Sequence, residues 1–159
     1  MASRANASMR IDTAELKNFA KGLRLVDRSL YLKMNKKIRV AAQVVADDAK
    51  ARASWSTKIP ATIRVRGGLA RLSVVAGKGV PYAVPYEYGG KKMAKGTFKH
   101  PVYAAVGSAR YEDKGSWPTE RTRPFLVPAL AAHRTEVMEA MVIAVNETID
   151  EALAKGHAL

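Results

Sequence analysis

The chain contains no cysteine, which excludes disulfide staples and every thiol chemistry. It has no long apolar run. The longest, Ala140 to Val145, falls far short of the ~20 residues a membrane-spanning helix needs. The first ten residues, MASRANASMR, lack the apolar stretch of a secretory signal. A soluble protein is the expectation; the absence of cysteine fits a reducing compartment and equally a particle that later meets the outside world. Acidic residues are also scarce, 14 against 27 Lys and Arg, and no two stand as a legible acid–base pair. The adjacent Asp47 and Asp48 point about 100° apart on a helix and suit a solvated face rather than a shared metal.

The other residues of catalysis are equally thin. His100, His133 and His157 have no CxxC, HxH or HExxH context, so the sequence offers no metal site. Ala76-Gly77-Lys78-Gly79 superficially resembles a phosphate loop, but Gly79 stands where a magnesium-binding Ser or Thr belongs. Glu87 is the single acid in an aromatic, proline-rich segment. With no partner nearby it reads as a carboxylate bonded to backbone or to a neighbouring subunit's arginine. Neither an enzyme nor a bound cofactor is expected.

Positive charge is what the chain has in excess. The net charge is +13, and it is uneven: residues 1–128 sum to +16 and residues 129–159 to −3. A basic body therefore ends in a mildly acidic segment, and a polyanionic neighbour is expected, nucleic acid first. Arg64, Arg66 and Arg71 form the most pointed basic group, and Lys91, Lys92 and Lys95 make a basic run in a loop. These six are the candidate DNA-facing residues. No recognition-helix or zinc-finger pattern accompanies them, so contact with DNA would be electrostatic and salt-sensitive.

At 159 residues one α+β domain is expected over residues 12–159, behind a flexible basic arm at residues 1–11. Asp12 and Glu15 suit the ends of a capping box, with Ile11 and Leu16 as the staple. Apolar residues then recur at helical spacing from Leu16 through Phe19, Leu23, Val26, Leu30, Met34, Ile38, Ala41 and Val45 to Ala49. One helix over that stretch would be about 60 Å long, so two segments with a break near Asn35 are expected. Residues 62–66 alternate polar and apolar, Gly67-Gly68 turns the chain, and residues 69–76 return, which predicts an antiparallel hairpin. A short strand is expected within 98–106 and a polar loop over 107–123. A long C-terminal helix follows from Pro124 or Pro128 to Lys155, packed on the sheet. Its apolar face is Val137, Met138, Met141, Val142, Val145, Ile149 and Leu153, and Gly156 follows as the C′ residue.

Three blocks carry a family likeness. Tyr82-Ala83 and Tyr86-Glu87-Tyr88-Gly89 come first, Lys99-His100-Pro101-Val102-Tyr103 next, and, after Trp117, Arg123-Pro124-Phe125-Leu126-Val127-Pro128-Ala129-Leu130 opens the last helix. In order and spacing, over about residues 12–155, the chain resembles the tail-completion and head–tail joining proteins of tailed bacteriophages, the gene-product-ten-like minor tail components. Ala104 departs from the glycine usual after the second block.

The resemblance implies a virion protein made in the bacterial host's cytoplasm and placed at the neck. It implies a hexameric ring between head-side connector or stopper proteins and the tail terminator and tail tube, with genomic double-stranded DNA passing through the bore and no membrane contact. The block residues Tyr82, Tyr86, Glu87, Gly89, His100, Pro101, Tyr103, Trp117, Pro124 and Phe125 would then serve assembly. A ring needs two different complementary patches per subunit, and Glu136, Glu139 and Glu147 on the acidic last helix are the candidates for one of them. The alternatives are a tail terminator capping the tube and a free, non-sequence-specific DNA-binding protein using Lys and Arg with Trp55, Trp117 and the tyrosines.

Overall fold

The computed structural model describes residues 7–11, 14–68, 71–90, 95–99, 103–106, 110–113 and 118–156. It is an α+β fold with two long helical segments and small antiparallel sheets, one strand of which precedes the first helix. In chain order these are β1 (Ala7–Ile11), α1 (Ala14–Val26), α2 (Arg28–Arg52), a 3-10 turn (Pro60–Thr62), β2 (Arg64–Gly68), β3 (Arg71–Ala76), α3 (Ala83–Tyr88), β4 (Thr97–Lys99), β5 (Tyr103–Val106), β6 (Arg110–Asp113), β7 (Thr119–Arg121) and α4 (Leu126–Ala154).

The long N-terminal helical segment is two helices, but the break falls at Asp27 rather than near Asn35. Asp27 is extended (φ −146°, ψ 104°), and its carboxylate accepts the Ser29 and Leu30 amides at 2.7 and 3.2 Å. An aspartate that satisfies the first orphan amides of a new helix makes a break cheap, whereas Asn35 lies inside the intact α2. The stripe itself is the core. Leu23, Leu30, Met34, Ile38, Val45 and Ala49 are buried, while Val26, beside the break, is exposed.

The expected hairpin is present as β2 and β3, in the register Arg64↔Val75, Arg66↔Ser73 and Gly68↔Arg71, but Gly67 and Gly68, expected as its turn, are paired residues of β2. A third strand joins it: β1 pairs with β3 from Ala7↔Ala76 to Ile11↔Leu72. The arm expected over residues 1–11 is thus a strand from Ala7 onward. Its Ala-Ser-Met-Arg-Ile alternates small or polar with apolar residues, the strand period, and β3 offers an open edge to pair with. Residues 1–6 lie outside the described part of the chain. Leu72, Val74 and Ala76 turn to the core, so the sheet has one buried side.

Two further two-stranded ribbons, β4–β7 and β5–β6, occupy the region between α3 and α4. Strands β6 and β7 fall where residues 107–123 read as a polar loop. Their residues, Arg-Tyr-Glu-Asp and Thr-Glu-Arg, are too polar to show a buried strand's pattern. The capping residue proposed for α1, Asp12, lies outside the described residues.

Helix α4 packs along α2, and its first turns reach β3, where Leu126 and Leu130 meet Leu72 and Val74 around a small apolar void. Its buried line is Val137, Met141, Ala144, Thr148 and Ala152. Three of the seven residues of the apolar face expected from the sequence are therefore uncovered, Met138, Val142 and Leu153, and Ile143, outside that face, is exposed as well. Ion pairs lace the two long helices on their outer side. Lys33 Nζ meets Glu151 at 2.5 Å and Lys37 Nζ meets Glu147 at 2.6 Å. Lys155 Nζ reaches Asp27 at 3.3 Å, which ties the end of α4 to the α1–α2 joint. Pairs this exposed are screened by solvent, so they set register more than stability. Gly156 follows α4 with φ +74°, the left-handed C′ position expected of it.

Candidate functional site

Helix α4 begins without a capping side chain of its own. Its N-cap residue is Phe125, which has no oxygen to offer the first amides. The cap comes from 38 residues earlier. Glu87 Oε2 accepts the Phe125 amide at 2.8 Å and the Leu126 amide at 3.0 Å, and Oε1 accepts the Val127 amide at 2.7 Å. Glu87 is 5% exposed. A carboxylate is suited to this place because three N–H donors and the positive end of the helix dipole all favour negative charge. Pro128 stands in the first turn, where its missing N–H costs nothing.

Glu87 is aimed by α3, a six-residue helix. Pro85 sits in that helix's first turn, and Gly89 ends it at φ +79°. A side chain at Gly89 would meet the Thr97 carbonyl oxygen at 3.0 Å, so glycine is needed twice over, for the dihedral and for the close approach of β4. The Arg123 amide donates to the Tyr86 carbonyl at 2.9 Å, and the Gly90 amide donates to the Thr97 carbonyl at 2.8 Å.

Around this joint the aromatic residues pack on one another. Tyr86 lies 4.5 Å from Trp55, 4.8 Å from Phe98 and 6.1 Å from Tyr82, ring centre to ring centre. Arg123 lies over the Trp55 ring at 5.4 Å. The Tyr86 hydroxyl donates to Glu120 Oε2 at 2.5 Å. That hydrogen bond first, and then burial, push the phenol's pKa above its ordinary value, so Tyr86 stays a donor. The first and last of the three sequence blocks, Tyr82–Gly89 and Arg123–Leu130, thus meet at one joint, where Glu87 caps the helix that the last block opens. The sequence marks Glu87 only as a lone carboxylate without a local partner; that it caps α4 is decided by the packing. The roles of Phe98 and Glu120 left no signal, because β4 and β7 pair across 19 intervening residues.

The remaining candidates are dispersed. Arg64 and Arg66 are exposed on β2. Arg71 pairs with Gly68, so it stands diagonal to Arg66 rather than opposite an arginine. Lys95 is exposed in the turn before β4. Tyr103 belongs to β5, and Pro124 is exposed just before the buried Phe125. Lys91, Lys92, His100, Pro101 and Trp117 lie outside the described residues.

The acidic trio on α4 is split. Glu147 is paired with Lys37, and Glu136 Oε2 lies 2.8 Å from His133 Nδ1. Glu139 has no ionic partner among the described residues and borders Met138, Val142 and Ile143. His133 also faces Asp48 of α2 at 3.4 Å. Among the described residues no group of three His, Asp or Glu side chains is placed to hold a metal, and no helix is long and apolar enough to cross a membrane.

No family model, no curated protein and no solved structure matches this chain.

Proposed function

We propose that this chain is a structural subunit of the neck of a tailed bacteriophage, one that assembles with copies of itself into a ring joining the DNA-filled head to the tail. The observation that carries the proposal is an uncovered apolar surface on an otherwise well-packed small domain. A groove between α2 and α4 is lined by Val40, Ala41, Val44, Ala140, Ile143 and Ala144, with Lys33, Lys36 and Lys37 on one rim and Glu136 and Glu147 on the other. Val40 is 63% exposed and Ile143 is 56% exposed. Contiguous apolar surface with charged rims is the mark of a protein-binding face, and a subunit that works only in an assembly can leave it bare until assembly.

Two further observations support the reading. The residues of the first and last family blocks build a helix-capping joint rather than a reaction centre, which suits a structural protein. The rings of Trp55, Tyr82 and Tyr86 are engaged with one another, which disfavours a free DNA-binding protein that stacks bases on them. The basic body provides the surface past which DNA moves, and catalysis has no part in this function.

Electron microscopy of lysates from phage lacking this gene tests the proposal. Filled heads lying apart from finished tails are expected. Tails of aberrant length would favour the tail-terminator reading, and intact infectious particles would overturn the neck assignment.

A further inference from the structure

Three cations converge where no acidic side chain among the described residues neutralises them. The side of α2 that faces the edge strand β2 forms an open cleft of about 470 Å³. Lys36 and Arg39 of α2 and Arg64 of β2 line it, together with Asn35 and Gln43, and the remaining lining residues are apolar. Among the described residues no acidic one lines it. Among the described residues neither Lys36 nor Arg64 has an ionic partner, although Lys33 and Lys37 on either side of Lys36 are both paired. Arg39 is held in place by the edge strand itself, since its Nη1 donates to the Gly67 carbonyl at 2.8 Å. That bond fixes the guanidinium and leaves its other N–H groups for a ligand. Asp47, one turn beyond Gln43, is already taken by Gln43 Nε2 at 2.9 Å and Lys50 Nζ at 2.7 Å.

We infer that this cleft binds the phosphodiester backbone of duplex DNA. Two guanidinium groups and an ammonium from two different elements, one of them preset by a backbone carbonyl, match a ligand with several anionic oxygens at one centre. One further exposed cation, Arg66, stands on the same strand as Arg64. Arg66 follows Arg64 at the two-residue strand spacing of about 7 Å, and duplex DNA presents a phosphate every ~3.4 Å of axis on each strand. A polymer of regularly spaced charge can meet the cleft and Arg66 together, as a single carboxylate cannot. No base-reading element accompanies the cleft, so binding is indifferent to sequence. Of the residues involved, Lys36 and Arg39 lie outside the basic group legible in the sequence, and only the packing of α2 along β2 joins them to Arg64.

The inference rests on the reading of this chain as one that DNA passes, and the two fail separately. The test is fluorescence anisotropy of a short labelled duplex with the full chain, from low ionic strength upward. The variant is Lys36→Gln/Arg64→Gln, and the control, of equal net charge, is Lys17→Gln/Lys21→Gln on α1. At ~0.1 M salt the cleft variant should bind about 10- to 100-fold more weakly, and its salt slope should fall by nearly 2, since each lost phosphate contact contributes about 0.9 to that slope. The control should change affinity less than about threefold. Equal losses in the two variants would overturn the cleft. So would absence of duplex binding by the unaltered chain at low ionic strength, or displacement of the duplex by polyglutamate at matched charge concentration. Each of those results leaves the particle experiment, and with it the neck reading, standing.

Discussion

Glu87 shows how one residue can look like chemistry and be architecture. A lone acid among tyrosines and prolines invites a catalytic reading, yet both its oxygens are used by the three amides that open α4. Removing it leaves buried N–H groups without acceptors, at about 1–3 kcal/mol per unsatisfied group on top of the lost cap. Glu87→Ala should therefore lower stability by about 3 kcal/mol, read as a lower urea midpoint at unchanged m-value. Glu87→Gln, which keeps one acceptor oxygen, should lose less. Equal losses for the two would mean that packing, not hydrogen bonding, holds the joint.

Asp27 acts on the same principle at an exposed joint, where protonation can reach it. Its hydrogen bond from the Ser29 hydroxyl, then the Leu30 and Ser29 amides and Lys155, hold its carboxyl far below the ordinary range. Lys33 likewise lowers Glu151, and Lys50 lowers Asp47. For groups whose folded pKa is depressed, the stabilisation is complete above the unfolded value of about 4 and is lost as pH falls through the folded one. Melting temperature should be flat from neutrality down to about pH 5 and then drop. In Asp27→Asn the drop should be shallower and start from a lower plateau, and an unchanged acid limb would remove Asp27 from the account.

At the scale of elements, strands and helices are held by a few points where backbone meets backbone. Gly89 is the clearest. It ends α3 in a left-handed conformation and lets the Thr97 carbonyl approach to where a Cβ would sit at 3.0 Å. Gly89→Ala should cost about 1–2 kcal/mol for the dihedral, and more for the displacement of β4. Hydrogen exchange should show the loosening at residues 97–99 and 119–121 before α2 is affected. Uniform loosening of the whole chain would show that α3 and the β4–β7 ribbon do not open as a unit. The break between α1 and α2 belongs to this scale too. Helical periodicity runs through Asp27 without interruption, and only the capping chemistry of its side chain marks the division.

For the whole molecule, the telling feature is the apolar surface that the single chain leaves open between its two longest helices. Under the ring proposal, a charged residue in that groove should block self-association without harming the fold. Ile143→Lys should leave the circular-dichroism spectrum and melting temperature within about 0.5 kcal/mol of the parent, because the position is already exposed. It should also abolish higher-order species in sedimentation velocity. Glu139→Lys should weaken association more than Glu147→Lys, since Glu147 is already committed to Lys37. If both reversals act alike, the acidic trio contributes only as net charge.

The core stripe of α1 and α2, the β2–β3 hairpin, the last helix with its C′ glycine and the α+β class were legible in the sequence, because each follows from local periodicity and turn chemistry. The pairing of β1 with β3, the ribbons of the polar central region and the cap that Glu87 places on α4 were decided only by tertiary structure. Their partners lie tens of residues apart, and nothing local to either partner records the other. The same holds for charge. Composition made the chain basic, but which cations stay unpaired was settled by the packing of α4 along α2, which neutralises Lys33 and Lys37 with Glu151 and Glu147 and leaves Lys36 beside Arg39 and Arg64.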